Sequence, residues 1–291
     1  MVRKMALEDS SKSKSDEIQY RAGAIELLGR TLTLYYHGLT RFIVLFGIGL
    51  MAISFVISSL ILYLFLNPEL MFFTSFDAFG FVIRIPANAS LIIFNLIALL
   101  LATVIWSMIE APTTEFALEM YEQEIPTVQS SIDKSRGRIL ALTKARLIII
   151  LVQFVIIIPI LFLLILSINL EDLNLQLIAE MMSYILVFII GYIHIRFLPV
   201  APIILRENLS TRDALQRCFD LSTGQFMHMT GGFFVLFFFE FMLFFFLVNV
   251  FSFFGYGLIA ILFPFYFSYL LFGPLRPIFS AVLYKDLLSR T

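Results

Sequence analysis

The chain has 291 residues, 60% of them hydrophobic and only 14% charged, with 20 Lys and Arg against 21 Asp and Glu and a formal net charge of −1. Its mean hydropathy is +0.95. A water-soluble domain is about 45–50% apolar and about 25% charged, and the excess here would leave large apolar patches in water. The composition excludes an ordinary soluble globule and a disordered chain, and without a basic field it excludes a nucleic-acid binder.

Read from the N-terminus, residues 1–17 form a polar tail that is expected to be disordered and cytoplasmic. The first forty residues contain no apolar run of signal-peptide type, so the first span itself is expected to act as the insertion signal. Residues 18–291 read as an all-α, six-helix transmembrane domain. Ile18, Ala22, Ile25, Leu28, Leu32 and Tyr35 recur at spacings of three and four and predict an amphipathic helix ahead of the first span. Spans follow near 42–66, 90–110, 147–169, 178–205, 232–252 and 257–283, each close to the roughly 20 apolar residues that cross a hydrocarbon core of about 30 Å. The run Phe233 to Phe239 lacks the alternation of a barrel strand, which favours helices. The outer connections are a 20-odd-residue segment with Pro68 and Pro86, a Glu171-Asp172 turn and a turn at Gly255.

Charge sets the orientation. The N-terminal tail, the loops after the second and fourth spans, and the C-terminus together hold seventeen of the 20 Lys and Arg. Arg84 is alone on the other side, and Arg196 and Arg276 lie within spans. The positive-inside rule puts both termini in the cytoplasm of a cell-membrane protein. The chain then divides into three helical hairpins, each preceded by a cytoplasmic amphipathic stretch. The second stretch carries Ile132, Ile139 and Leu142. The third sets Ala214, Leu215, Cys218 and Phe219 opposite Arg212, Asp213, Gln216 and Arg217, with Ser210 and Asp213 as a capping pair and Gly224 at its end. These stretches are expected to lie in the membrane plane with the apolar face down. The returning helices carry Pro112, Pro199 and Pro202, and Pro274 and Pro277, which predicts three bent helices in a triplicated unit.

Ionisable groups inside spans are the first candidates for chemistry, because a charge at bilayer depth costs several kcal/mol unless paired or hydrated. At about 1.5 Å per residue, Glu240, Arg196 and Arg276 lie roughly 12, 13 and 11 Å from the cytoplasmic side. That match predicts an intramembrane cluster of Arg196, Glu240 and Arg276, with His194 nearby; Glu180 falls near the outer interface. The cluster is read either as a lock between helices or as a solute, lipid or proton site. Glu110, Glu115, Glu119, Glu122 and Glu124 read as a solvated helix face. His37, His194 and His228 show no ligand spacing, no metal or other cofactor is expected, and Cys218 reads as a packing residue. Hydrolase, zincin and P-loop motifs are absent from the sequence.

Residues 199–226, leading to the fifth span at 232, and residues 281–290 carry a resemblance. Glu207 after a proline-bearing helix, Ala214, Leu215 and Arg217 on a helix ending at Gly224, and Leu283, Tyr284, Asp286 and Leu287 near the C-terminus fit one pattern. It resembles the six-span family named after the membrane domain of glycerophosphoryl diester phosphodiesterases, which has free-standing members. Cys218, Lys285 and Leu288 depart from the family's residues. The resemblance implies a membrane module without the soluble catalytic barrel, and a cytoplasmic network of Glu207, Arg217 and Asp286 clamping the third amphipathic helix to the C-terminus. The resulting expectation is a non-enzymatic membrane protein that engages anionic lipid head groups, or serves a membrane-protein partner. The rival is a small transporter or channel built on Glu240, Arg196 and Arg276.

Overall fold

The computed structural model describes residues 22–66, 73–78, 81–86, 89–122, 125–169, 173–252 and 267–290, without the side chains of 48, 50–96, 161, 162, 164–176, 179, 180 and 252. The 1–17 tail, the Glu171-Asp172 and Gly255 turns, the start of the 257–283 span and the side chain of Glu180 lie outside the described residues. Helices dominate: α1 (Ala24–Leu66), α2 (Ala89–Tyr121), α3 (Val128–Arg136), α4 (Ile139–Asn169), α5 (Leu173–Arg196), α6 (Val200–Arg206), α7 (Thr211–Ser222), α8 (Phe226–Ser252) and α9 (Leu275–Leu288). Among the described residues, five stretches are long and apolar enough to cross a membrane: Ile97–Tyr121, Ile139–Ile160, Met181–Arg206, Phe226–Phe251 and Phe267–Leu288. The chain is a multi-pass membrane protein by this measure.

One element departs from the all-α expectation. Between α1 and α2, β1 (Phe73–Ala78) and β2 (Phe81–Pro86) pair antiparallel, from Phe73 opposite Pro86 to Ala78 opposite Phe81. Val82, Ile83 and Ile85 are β-branched and favour extended backbone. Pro86, which has no N–H to give a ladder, closes the strand at its end.

A second departure concerns the first amphipathic stretch, which is not a separate interfacial helix. It is the start of α1, whose 43 residues run about 65 Å, twice the hydrocarbon thickness. The buried stripe is also rotated: Leu27, Thr31, Phe42 and Phe46 are buried, whereas Ile25 is 79% exposed. Thr31 joins the buried stripe because its hydroxyl donates to the Leu27 carbonyl at 2.7 Å and so carries no unmet polar group inward. Two turns on, a Cβ on Gly38 would stand 2.6 Å from the Phe42 ring, so glycine is required where Phe42 and Met120 close over the helix. Phe42 meets Phe116 edge to face at 5.0 Å between centroids.

The chain divides into two compact units. The first comprises residues 22–47, 109–142 and 195–290 of the described chain, and the second 48–108 and 143–194. In the second unit Ile160 is buried among Ile156, Leu186 and Ile190, while Val155, Ile158, Ile185 and Phe188 are exposed. Helices α2 and α5 change character along their length. Ile97, Leu100, Leu101 and Met108 are exposed, but every residue from Ile109 to Glu119 is buried. Likewise Ile185 and Phe188 are exposed, and 199–204 are all buried. In the last span Phe267 is exposed, and 274–284 are buried except Arg276.

Each change falls at a proline. Pro112 stays inside α2, the turn at 197–199 separates α5 from α6, and Gly273-Pro274 separates the helical residues 267–272 from α9. Proline cannot donate to the carbonyl four residues back. For Pro202 that carbonyl is Leu198, and the Ser280 hydroxyl donates to it at 2.7 Å. The carbonyl of Leu271, beside the break at Gly273, receives the Tyr35 hydroxyl. Pro159 lies inside α4.

Candidate functional site

The buried segments after the prolines belong to the first unit and carry its charges. This corrects the reading of a solvated acidic face for three of its five acids: Glu110, Glu115 and Glu119 are 3%, 3% and 1% exposed, whereas Glu122 is exposed and Glu124 lies outside the described residues. Thr113, Thr114, Phe116, Ala117 and Leu118 between them are buried too, so this stretch of α2 is enclosed on all sides and its acids must be matched internally. Arg206 of α6 reaches Glu115 at 3.1 Å and Glu122 at 2.9 Å. Lys285 of α9 meets Glu122 at 2.5 Å. Lys134 of α3 meets Glu119 at 2.5 Å, and the Ser131 hydroxyl donates to the same carboxylate at 2.7 Å. The face that α3 buries is thus Ser131 and Ser135 rather than the expected Ile132. Thr127 caps α3 by accepting from the Ser130 N–H at 3.1 Å.

The expected Glu207–Arg217–Asp286 network is two networks. Arg217 Nε donates to Glu207 at 3.1 and 3.4 Å, and the Tyr284 hydroxyl donates to Glu207 at 3.1 Å. Asp286, two residues along α9, is fully buried and turns elsewhere. It accepts from the Ala22 N–H at 2.6 Å, His228 Nε2 at 2.8 Å and Arg290 Nε at 2.7 Å. Arg290 also donates to the Ala22 carbonyl at 2.6 Å. Both polar groups of one N-terminal residue are therefore captured by the C-terminal helix and the residue just beyond it. Three donors meet the hydrogen-bonding demand of a carboxylate that would otherwise be buried without partners.

The third amphipathic helix, α7, turns much of its apolar face onto protein, with Phe219 left 49% exposed. Ala214, Cys218 and Leu221 are buried, and the helix packs on α6 and α9. Its ends follow the sequence signals: Ser210 accepts from the Asp213 N–H at 3.3 Å, and Gly224 takes φ +78° just past the last turn. Asn208, at φ 57°, makes the bend between α6 and α7.

Of the intramembrane candidates, Glu240 and Arg276 are brought together. Arg276 donates from Nε at 3.1 Å and from Nη2 at 2.9 Å to Glu240 Oε2. Arg196 does not join them. It donates to the Phe219 carbonyl at 3.3 Å and the Ser222 hydroxyl at 3.2 Å, and its guanidinium stacks 4.0 Å from the Phe219 ring. Equal depth in separate helices fixes height but not azimuth, which is why depth alone groups the three. His194 belongs to the second unit and is exposed. The sequence reading missed His228, Arg290, Tyr284 and the Glu115–Arg206 pair as partners; the buried charge density of 110–122 was the available signal.

Among the described residues no group of three or more His, Cys, Asp or Glu is arranged to hold a metal ion. No family model, curated protein or solved structure matches this chain.

Proposed function

We propose that this protein is a non-enzymatic, six-span protein of the cell membrane, with both termini in the cytoplasm, that binds anionic lipids or supports a membrane partner through its cytoplasmic junction. The observation that carries this reading is the junction itself. Its acids are neutralised by Arg206, Lys134, Lys285, Arg217 and Arg290. Carboxylates held in this way serve as fasteners rather than as acids or bases. The gathering of Lys and Arg on the same side supports both the orientation and an anionic partner. The resemblance of 199–226 and 281–290 to free-standing membrane modules points the same way.

Native mass spectrometry of the protein released from membranes tests this. Anionic phospholipid or a partner protein is expected to stay bound; release free of both contradicts the reading. The Glu240–Arg276 pair, on helices of spanning length, favours one alternative, a small transporter. Under that alternative Glu240→Gln abolishes solute flux in proteoliposomes while thermal stability holds.

A further inference from the structure

In the first unit most described cations are held by the protein. Arg30 meets Glu26, Arg41 the Pro126 carbonyl, and Arg196 the Phe219 ring. Lys134, Arg206, Arg217, Arg276, Lys285 and Arg290 each meet a carboxylate. Arg136, Arg138 and Arg212 stand apart, making no ion pair or hydrogen bond through their side chains among the described residues. Arg136 and Arg212 are exposed and Arg138 half-buried.

The three converge. Arg136 ends α3, and Arg138 lies just before α4, its backbone carbonyl accepting from the Leu142 N–H at 3.0 Å. The Thr211 hydroxyl donates to the Ala141 carbonyl at 3.3 Å, which sets the first turn of α7, and so Arg212, beside the first turn of α4. Three carboxylates lie on these elements, but Asp220 is in the last turn of α7, two turns from Arg212. Near the arginines stand Asp133, which accepts from the Gln129 amide at 3.0 Å, and Asp213, which accepts from the Ser210 hydroxyl at 2.6 Å, so three cations face two anions. Next along α4, Leu140 is 66% exposed at the start of the Ile139–Ile160 span. Unpaired arginines directly beside an exposed leucine, where a spanning helix begins, fit the boundary between phosphate and acyl chain.

We propose that Arg136, Arg138 and Arg212 form a docking patch for the phosphodiester head group of an anionic phospholipid. Guanidinium groups offer paired donors to phosphate oxygens, which suits them to this ligand over a zwitterionic head group with its own cation. This rests on the reading above and names its binding residues.

The test reconstitutes the full chain in nanodiscs of phosphatidylcholine with phosphatidylglycerol and measures the enrichment of phosphatidylglycerol among retained lipids. The wild type is expected to be enriched, and Arg136→Gln/Arg138→Gln/Arg212→Gln to fall toward the bulk ratio at unchanged Tm, each arginine weighing about fivefold at most. If the triple variant is destabilised, the three single variants are read instead, each with a partial loss. Full enrichment in these variants overturns the patch and leaves the wider reading standing. A wild type without enrichment overturns the patch together with the lipid-binding arm of that reading.

Discussion

The proline-following junction of the first unit and the outward faces of the second unit use opposite chemistry. In the junction, Asp286, Glu115 and Glu119 are buried, and each is matched by a cation: Arg290 four residues on, Arg206 of α6 and Lys134 of α3. In the second unit, Val155, Ile185 and Phe188 point outward from a small apolar contact around Ile160. The difference teaches which solvent each region was built for. Apolar side chains turned outward are stable where the surroundings are hydrocarbon. Matched buried charges need directional partners, so the junction is specific where the spans are permissive.

That contrast can be broken in order of expected effect. Asp286→Ala removes the acceptor of three donors, leaving the Ala22 N–H and Arg290 uncompensated. It should cost about 3–5 kcal/mol, read as a large fall in Tm. Phe188→Leu on the outward face should change stability by under about 0.5 kcal/mol. Arg206→Met strands the buried Glu115 and should cost about 3 kcal/mol; adding Glu115→Gln should recover most of it, because a buried pair replaced as a pair is nearly neutral. Ser280→Ala orphans the Leu198 carbonyl and should cost about 1–2 kcal/mol in the same melting experiment.

The smallest effect lies at the rim. The hydrogen bond from Arg30 holds the Glu26 carboxyl below its usual value. Its small stabilisation is therefore present above the ordinary carboxylate range and fades as acid protonates it. Glu26→Gln should cost about 0.2–0.5 kcal/mol at neutral pH and nothing measurable at low pH.

Much of this could be read before any coordinates. Hydropathy locates the apolar helices, Ser210 and Gly224 bound α7, and matched depth selects Glu240 and Arg276. What sequence cannot show is azimuth and long-range closure. Arg196 has the right depth but turns toward Phe219, and Asp286 finds Ala22 across 264 positions. The acids at 110–122 look solvated because their counter-ions, Lys134, Arg206 and Lys285, come from three other helices. The β1–β2 hairpin escaped because its segment was judged by its prolines rather than by the β-branched run at 82–85.

Spin labels at Val155, Ile185 and Phe188, in nanodiscs, measure most directly whether hydrocarbon is the solvent of the outward faces. High collision rates with oxygen and low rates with a water-soluble nickel complex are predicted at all three. Free access of the nickel complex to these sites would contradict the account.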